Sequence, residues 1–216
     1  MRVLITAGPT YEPLDPVRFI GNHSTGKMGY ALAETFAAAG AEVHLISGPT
    51  SLPDPSHPGI RTQRVQTADE MYAAAAALAS AADIWVFAAA VADYKPAYVA
   101  ENKIKKAGDT LTLELVKNVD IAATLGKTKR PKQFSVGFAL ETENERAHAL
   151  SKLQRKNFDL VVLNSLRDAG AGFRHDTNKI TLLEADGRVT IFELKPKSEV
   201  ARDIVHTVLA RLSHHA

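Results

Sequence analysis

No cysteine occurs among the 216 residues, which excludes disulfides and thiolate-held metal alike. Any sulfur chemistry would have to belong to a substrate. Aromatic residues are scarce, 6% with a single tryptophan, yet the chain is 45% hydrophobic, enough for one substantial core. Long apolar runs are missing as well. The longest, Ile84 to Ala92, falls far short of the ~20 residues that a membrane span needs. The opening run Met1 to Gly8 turns polar too soon for a signal peptide, so the expectation is a soluble, cytoplasmic protein with no membrane partner. Neither sign of charge prevails: 26 basic residues against 24 acidic leave a net charge of +2, which gives no whole-chain electrostatic case for nucleic acid. A local basic cluster can still hold a small anion.

What is present reads as one doubly wound α/β domain over residues 1–216. Val3-Leu4-Ile5-Thr6 is a short apolar run stopped by Ala7-Gly8-Pro9-Thr10, the pattern of a buried parallel strand ending in a turn. After a proline-rich connection through Pro13 and Pro16, Met28, Ala31, Leu32, Thr35, Phe36 and Ala39 recur at helical steps, with Gly40 as the stop. Val43–Ser47 and Arg61–Gln66 read as the next strands, separated by a proline-rich excursion over Ser51–Gly59. Thr67 and Glu70 form a capping-box pattern ahead of a helix to about Ala82, and Ile84–Ala89 is the candidate central strand. The second half offers a basic segment over Asp93–Gly108 and an alternating strand at Leu111–Leu115. A short helix near Ile121–Leu125 and a strand at Phe134–Phe138 follow. A second capping-box pattern, Thr142 to Glu145, opens a helix through Lys156, and Leu160–Asn164 reads as a parallel strand. Asn178–Glu184 and Arg188–Glu193 suit a hairpin turning at Asp186-Gly187, and Ser198 caps a closing helix through Leu212.

The chemistry gathers at Gly21-Asn22-His23-Ser24-Thr25-Gly26-Lys27-Met28-Gly29, a glycine- and hydroxyl-rich loop just before a helix, which suits phosphate. Gly21, Gly26 and Lys27 match the spacing of a Walker A loop, but Met28 replaces the hydroxyl that magnesium requires. Ala7-Gly8-Pro9-Thr10 lies where a dinucleotide fingerprint belongs, yet it is not G-x-G-x-x-G, and Pro9 has no N–H to offer a pyrophosphate. From these residues, a nicotinamide oxidoreductase, a non-catalytic nucleotide-binding domain and an ordinary βα turn stay open. Lys103, Lys105 and Lys106 suit either a solvated strip or a phosphate clamp. Lys152 and Lys156 share a helix face near its C-terminus, where cations offset the dipole even without a ligand. Asn22 suits a turn or a catalytic amide, and His23 lacks an orienting carboxylate in view. Asp93 stands just after the central strand, where α/β enzymes place magnesium or ribose ligands.

In order, Thr6–Thr10, Val17–Gly29, Ser47-Gly48-Pro49-Thr50, Ala88–Tyr94, Lys103-Ile104-Lys105-Lys106, Lys117-Asn118 and Gly137–Thr142 closely resemble the phosphopantothenate–cysteine ligase family. The resemblance implies a Rossmann-like, doubly wound, mostly parallel sheet with a C-terminal β-hairpin and a flexible basic flap. It also implies a homodimer and a step of coenzyme A biosynthesis. In that step 4′-phosphopantothenate attacks the α-phosphate of CTP, with Mg2+, to give an acyl-cytidylate and pyrophosphate. Cysteine then displaces CMP. By the same resemblance Asn22 takes the place of the family's catalytic asparagine, as a donor to the carbonyl oxygen, and Lys103 that of the first flap lysine. The nucleotide-binding positions are Asp93, also the magnesium candidate, with Phe87, Ala88, Ala89, Val116, Lys117, Asn118, Val119, Phe138, Lys152 and Lys156. Gly8, Ser24, Gly26 and Lys27 are expected beside the phosphates. Bacterial members are often fused behind a flavin-dependent decarboxylase. This chain carries no such region, so a free-standing synthetase or an excised domain is expected, associated or fused with the decarboxylase.

Overall fold

The structure, a computed structural model, describes residues 1–106, 108–141, 143–165 and 176–214. Its first elements are β1 (Arg2–Ala7), a hairpin of β2 (Tyr11–Pro13) and β3 (Phe19–Gly21), α1 (Lys27–Ala38), β4 (Glu42–Ser47) and β5 (Ile60–Arg64). Then come α2 (Ala68–Ala79), β6 (Ile84–Phe87), a ribbon of β7 (Tyr94–Pro96) with β8 (Leu115–Lys117), α3 (Ile121–Gly126), β9 (Phe134–Glu141) and α4 (Glu145–Arg155). The chain closes with β10 (Leu160–Ser165), β11 (Thr177–Asn178), β12 (Ile180–Glu184), β13 (Val189–Ile191), β14 (Lys195–Pro196) and α5 (Lys197–His214).

Eight strands form the central sheet in the order β13-β12-β10-β9-β6-β1-β4-β5. The six from β5 to β10 run parallel, and β12 and β13 add an antiparallel margin. Alternation along each strand feeds two cores. Val3 and Ile5 of β1 face α1 and α5 with Leu32, Phe36 and Ile204, while Leu4 faces the opposite layer with Met71, Trp85, Leu153 and Phe158. Parallel strands covered on both faces explain why β6 is apolar throughout and buried at every position. From β1 the chain winds outward through β4 and β5, and from β6 it winds the other way. The crevice between the C-terminal ends of β1 and β6 is therefore the topological switch point, where this architecture binds ligands.

Several elements differ from the sequence expectation. The proline-rich connection is the turn of the β2–β3 hairpin, tightened by Tyr11 stacking on Phe19 with ring centroids 3.8 Å apart. The strand expected at Leu111–Leu115 lies instead at Leu115–Lys117, as β8, where it pairs with the three residues of β7. The third strand starts and ends earlier, at Ile60–Arg64, in register with β4. Helix α2 keeps the expected capping box, with Glu70 N–H donating to Thr67 Oγ1 at 3.2 Å and Thr67 N–H to Glu70 at 3.3 Å, but it ends at Ala79. Helix α4 begins after Asn144, whose φ of 48° is left-handed and whose side chain makes no cap; the expected cap, Thr142, lies outside the described residues. The expected C-terminal hairpin forms as β12 and β13 around Gly187. Among the described residues no helix is long and apolar enough to cross a membrane.

Candidate active site

Past the end of β1 the backbone stays joined to the segment after β6. Ala88 N–H donates to Thr6 O at 3.0 Å, Ala90 N–H to Gly8 O at 2.9 Å, and Ala92 N–H to the buried Thr10 hydroxyl at 3.0 Å. Gly8, at φ 75°, makes the turn, and the N-cap Gly26, at φ 80°, comes so close that a Cβ there would stand 3.5 Å from Gly8 Cα. A Cβ on Gly29 would meet the Ala7 methyl at 2.5 Å, so this glycine lets α1 lie tight against β1. The α1 N-terminus has no side-chain cap and no acid in its first turn, which leaves its amide hydrogens available to an anion.

Beside this junction lies a cavity of about 400 Å³, walled by Phe87 to Asp93, by Asn118 to Ala122 and by Phe138 to Leu140. Thr6, Lys152, Lys156, Phe158 and Asn164 complete it, and Asn22 stands at its lining. The structure thus brings together Asn22, Phe87, Ala88, Ala89, Asp93, Asn118, Val119, Phe138, Lys152 and Lys156 of the sequence-derived set. Gly8, Ser24, Gly26, Lys27, Lys103, Val116 and Lys117 are not among the lining residues. Ser24 accepts from Gly26 N–H within its own turn, and the Lys27 ammonium is taken by Asp176. Lys103 is exposed on the segment between β7 and β8.

The polar groups of the cavity have defined directions. Asn22 Nδ2 donates to Ala90 O at 3.1 Å and Val91 O at 3.2 Å, so both of its hydrogens are engaged and Oδ1 is its remaining acceptor. Asn118 Nδ2 donates to Ala92 O at 2.8 Å, which orients the amide and leaves a buried Oδ1 with no hydrogen-bond partner. The buried Asn164 likewise has an Oδ1 without a partner. Buried acceptors are seldom left bare, because the lost hydration costs ~1–3 kcal/mol each, so these two mark places for donors. Lys152 Nζ donates to Phe138 O at 3.3 Å, and Lys156 Nζ to Asp120 Oδ1 at 2.9 Å. Asp120 also caps α3 through Ala123 N–H. Burial raises its carboxyl pKa, but the Lys156 hydrogen bond and the α3 amide outweigh that and hold it below the ordinary value.

Away from the cavity, the β2–β3 turn is built on Asp15, whose side chain is fully buried. The Arg18 guanidinium holds its carboxyl well below the usual carboxylate range, against the opposing effect of burial, with help from the Val17, Ile104 and Arg18 amides. A carboxyl depressed in the folded state stabilises above its unfolded pKa of ~3.9 and loses that contribution as pH falls toward the folded value. Both Asp15 and Asp120 have that sign. Urea midpoints measured from pH 7 downward are expected to fall off below about pH 4, and Asp15→Asn is expected to flatten that limb.

Sequence reasoning passed over Asp15, Asp120 and Asn164. Asp120 ends the Lys117-Asn118-Val119-Asp120 turn and Asn164 ends the apolar β10 run, so both stood at strand or helix boundaries where polar residues are routine.

The family model described as "DNA/pantothenate metabolism flavoprotein C-terminal domain" matches residues 1–212. The chain belongs to that family. A cysteine/cysteine sulfinic acid decarboxylase from an unknown prokaryotic organism is 50% identical over 208 residues, covering 96% of this chain and 58% of that protein. The coenzyme A biosynthesis bifunctional protein CoaBC of Vibrio cholerae is 47% identical over 209 residues, covering 96% of this chain and 52% of its own length. The crystal structure of the C-terminal domain of a CoaBC protein superposes with a TM-score of 0.84 at 41% identity, covering 99% of this chain and 96% of that one. The chain therefore spans about half the length of the curated relatives it matches, and it corresponds to the C-terminal domain of CoaBC.

Proposed function

We propose that this chain is the ligase of coenzyme A biosynthesis that joins 4′-phosphopantothenate to cysteine at the expense of CTP. One observation carries the reading. A cavity at the switch point of a CoaBC-like fold holds two lysine ammonium groups and, opposite in polarity, an amide oxygen fixed as an acceptor. A triphosphate supplies the anion that the lysines suit. The exocyclic amine of cytosine supplies the donor that Asn118 Oδ1 needs, whereas a base with a carbonyl there would set acceptor against acceptor. Adenine shares the amine, so the preference between CTP and ATP rests on the resemblance. The uncapped start of α1, beside Gly8 and Gly26, suits the far phosphates.

The chemistry then runs in two displacements. A carboxylate oxygen of phosphopantothenate bonds to the α-phosphorus of CTP, and the bond to the bridging oxygen breaks to release pyrophosphate. The cysteine nitrogen next bonds to the acyl carbon and loses a proton, and the bond from that carbon to the phosphate oxygen breaks, its electron pair leaving with CMP. The amide of Asn22 was expected from the resemblance to donate to the carbonyl oxygen. Its hydrogens are held by Ala90 O and Val91 O, so its Oδ1 suits the incoming amine as a hydrogen-bond acceptor instead. Magnesium takes one or two carboxylates and otherwise phosphate oxygens and waters, a demand that the exposed Asp93 on the cavity lining fits without a preformed acidic cluster. When bound, the ion offsets charge on the triphosphate. A cytoplasmic homodimer completes the proposal, and Val17 and Phe19, exposed at 60% and 49%, are apolar surface for such an interface.

The deciding experiment supplies CTP, magnesium, phosphopantothenate and cysteine and follows pyrophosphate and CMP. Pyrophosphate release that requires phosphopantothenate, and CMP release that further requires cysteine, are the expected results. Protection from thermal unfolding by NAD(P)H with no pyrophosphate would favour an oxidoreductase instead. Lys103→Gln is expected to lower kcat/KM for CTP about a hundredfold, the scale of a lost charge-stabilising donor, while Lys105→Gln costs much less. Equal effects of the two substitutions would refute a special role for Lys103.

A further inference from the structure

The β2–β3 turn and the segment that carries Lys103 are tied together, although the residues involved lie 89 positions apart. The two oxygens of Asp15 divide the work. Oδ1 accepts from Val17 N–H at 2.8 Å and Arg18 N–H at 2.9 Å, which shapes the turn itself. Oδ2 accepts from the Arg18 guanidinium and, at 3.1 Å, from the backbone N–H of Ile104. The same guanidinium donates to Ile104 O at 2.8 Å, so both backbone groups of Ile104 are grasped by one ion pair. A further bond, Ala100 N–H to Leu14 O at 3.0 Å, fastens the segment one turn earlier. Past β3, the same hairpin leads directly to Asn22, which is bonded to Ala90 and Val91 on the cavity wall. One small hairpin thus mounts Asn22 on one side and the residue next to Lys103 on the other.

We infer that Asp15 is a positioning residue for Lys103, holding the root of the basic segment so that this lysine is delivered at a fixed place relative to Asn22. Asp15 touches no reacting atom. It acts through the Ile104 backbone, and its full burial keeps competing water off the carboxylate, while the Arg18 side chain stays partly exposed. The inference rests on the proposed ligase reading only for what Lys103 meets. The clasp itself does not depend on that reading.

Asp15→Asn is a clean probe, because an asparagine retains the oxygen that serves the turn and replaces the other oxygen by a donor that cannot accept from Ile104 or Arg18. Amide hydrogen exchange of the unliganded full chain should show faster exchange across residues 100–106 in Asp15→Asn, by more than any change in β1 and β6 from lowered overall stability. In the ligase assay the same variant should raise KM for CTP about tenfold, the size of one charge-assisted hydrogen bond, and leave KM for cysteine alone. Ile104→Pro removes the N–H and leaves the hairpin turn intact, and it should raise KM for CTP in the same way. Exchange across residues 100–106 that matches the unaltered protein would overturn the inference. So would an increase in KM for CTP in Asp15→Asn that Ile104→Pro fails to reproduce. If the unaltered protein releases no pyrophosphate, the ligase reading falls, and the exchange measurement still decides whether Asp15 anchors the segment.

Discussion

Asn22→Ala is expected to go on consuming CTP and to stall before the amide forms, with acyl-cytidylate accumulating and pyrophosphate outrunning CMP. In the proposed reaction the first displacement needs the triphosphate placed and its charge offset, tasks proposed for Lys152, Lys156 and Lys103 that the substitution does not touch. The second needs an amine held against the acyl carbon with a lone pair free, and Asn22 Oδ1 is the acceptor at hand once Nδ2 is committed to Ala90 O and Val91 O. Loss of a single aligned polar group in such a step costs about 10²–10³ in rate. A rapid-quench time course that follows pyrophosphate and CMP separately resolves the two steps. Parallel loss of both products would move Asn22 to activation, and unaltered rates of both would remove it from the chemistry. Asn22→Asp sharpens the comparison: it keeps an acceptor but loses the two donors, so it should also loosen the Ala90–Val91 wall.

The parts of this molecule that follow from local patterning were readable in advance. Val3–Thr6, Val43–Ser47 and Ile84–Phe87 are apolar runs of strand length. The three- and four-residue spacing from Met28 to Phe36 names a helix face, and the Thr67–Glu70 pair caps a helix as its chemistry dictates. The doubly wound, mostly parallel character of the sheet follows from alternating strands and helices. The candidate site was only partly readable, for a physical reason. Residues in runs, such as Phe87 to Ala89 and Lys117 to Val119, keep company along the chain, and most of them do reach the cavity. Residues whose role depends on a distant partner carry no local mark. Asp15 looks like an ordinary turn former between prolines until Ile104 is beside it. Lys27 looks like a phosphate ligand until Asp176, far along the chain, takes its charge. Asp120 looks like a helix cap, which it is, and Lys156 gives it a second function.

The largest loss of stability is expected from Gly48→Ala, and the contrast with Gly40→Ala explains why. Gly40, at φ 84°, has nothing within 4 Å of the place a methyl would take, so alanine there meets only the left-handed backbone penalty of ~1–2 kcal/mol. At Gly48 the angle is no obstacle; the space is. A Cβ would stand 1.7 Å from Pro9 O and 2.9 Å from Pro9 C, both backbone atoms, so no side chain can rotate away to make room. The loops after β1 and β4 would have to part, and they are joined by Gly48 N–H to Ala7 O at 2.9 Å. Forced overpacking of this kind costs about 3 kcal/mol or more. In a chain of this length that corresponds to a fall in Tm of roughly 6–12 °C. The displacement would not stay local. Pro9 pairs with Ala90, and Ala90 accepts from Asn22, so moving Pro9 shifts the cavity wall that carries the candidate catalytic amide. Gly48→Ala is therefore expected to lose activity at temperatures where most of it is still folded, whereas Gly40→Ala loses activity only as it unfolds. Thermal melts and turnover measured on the same samples separate the two, and equal behaviour of both variants would show that the junction of these loops does not shape the site.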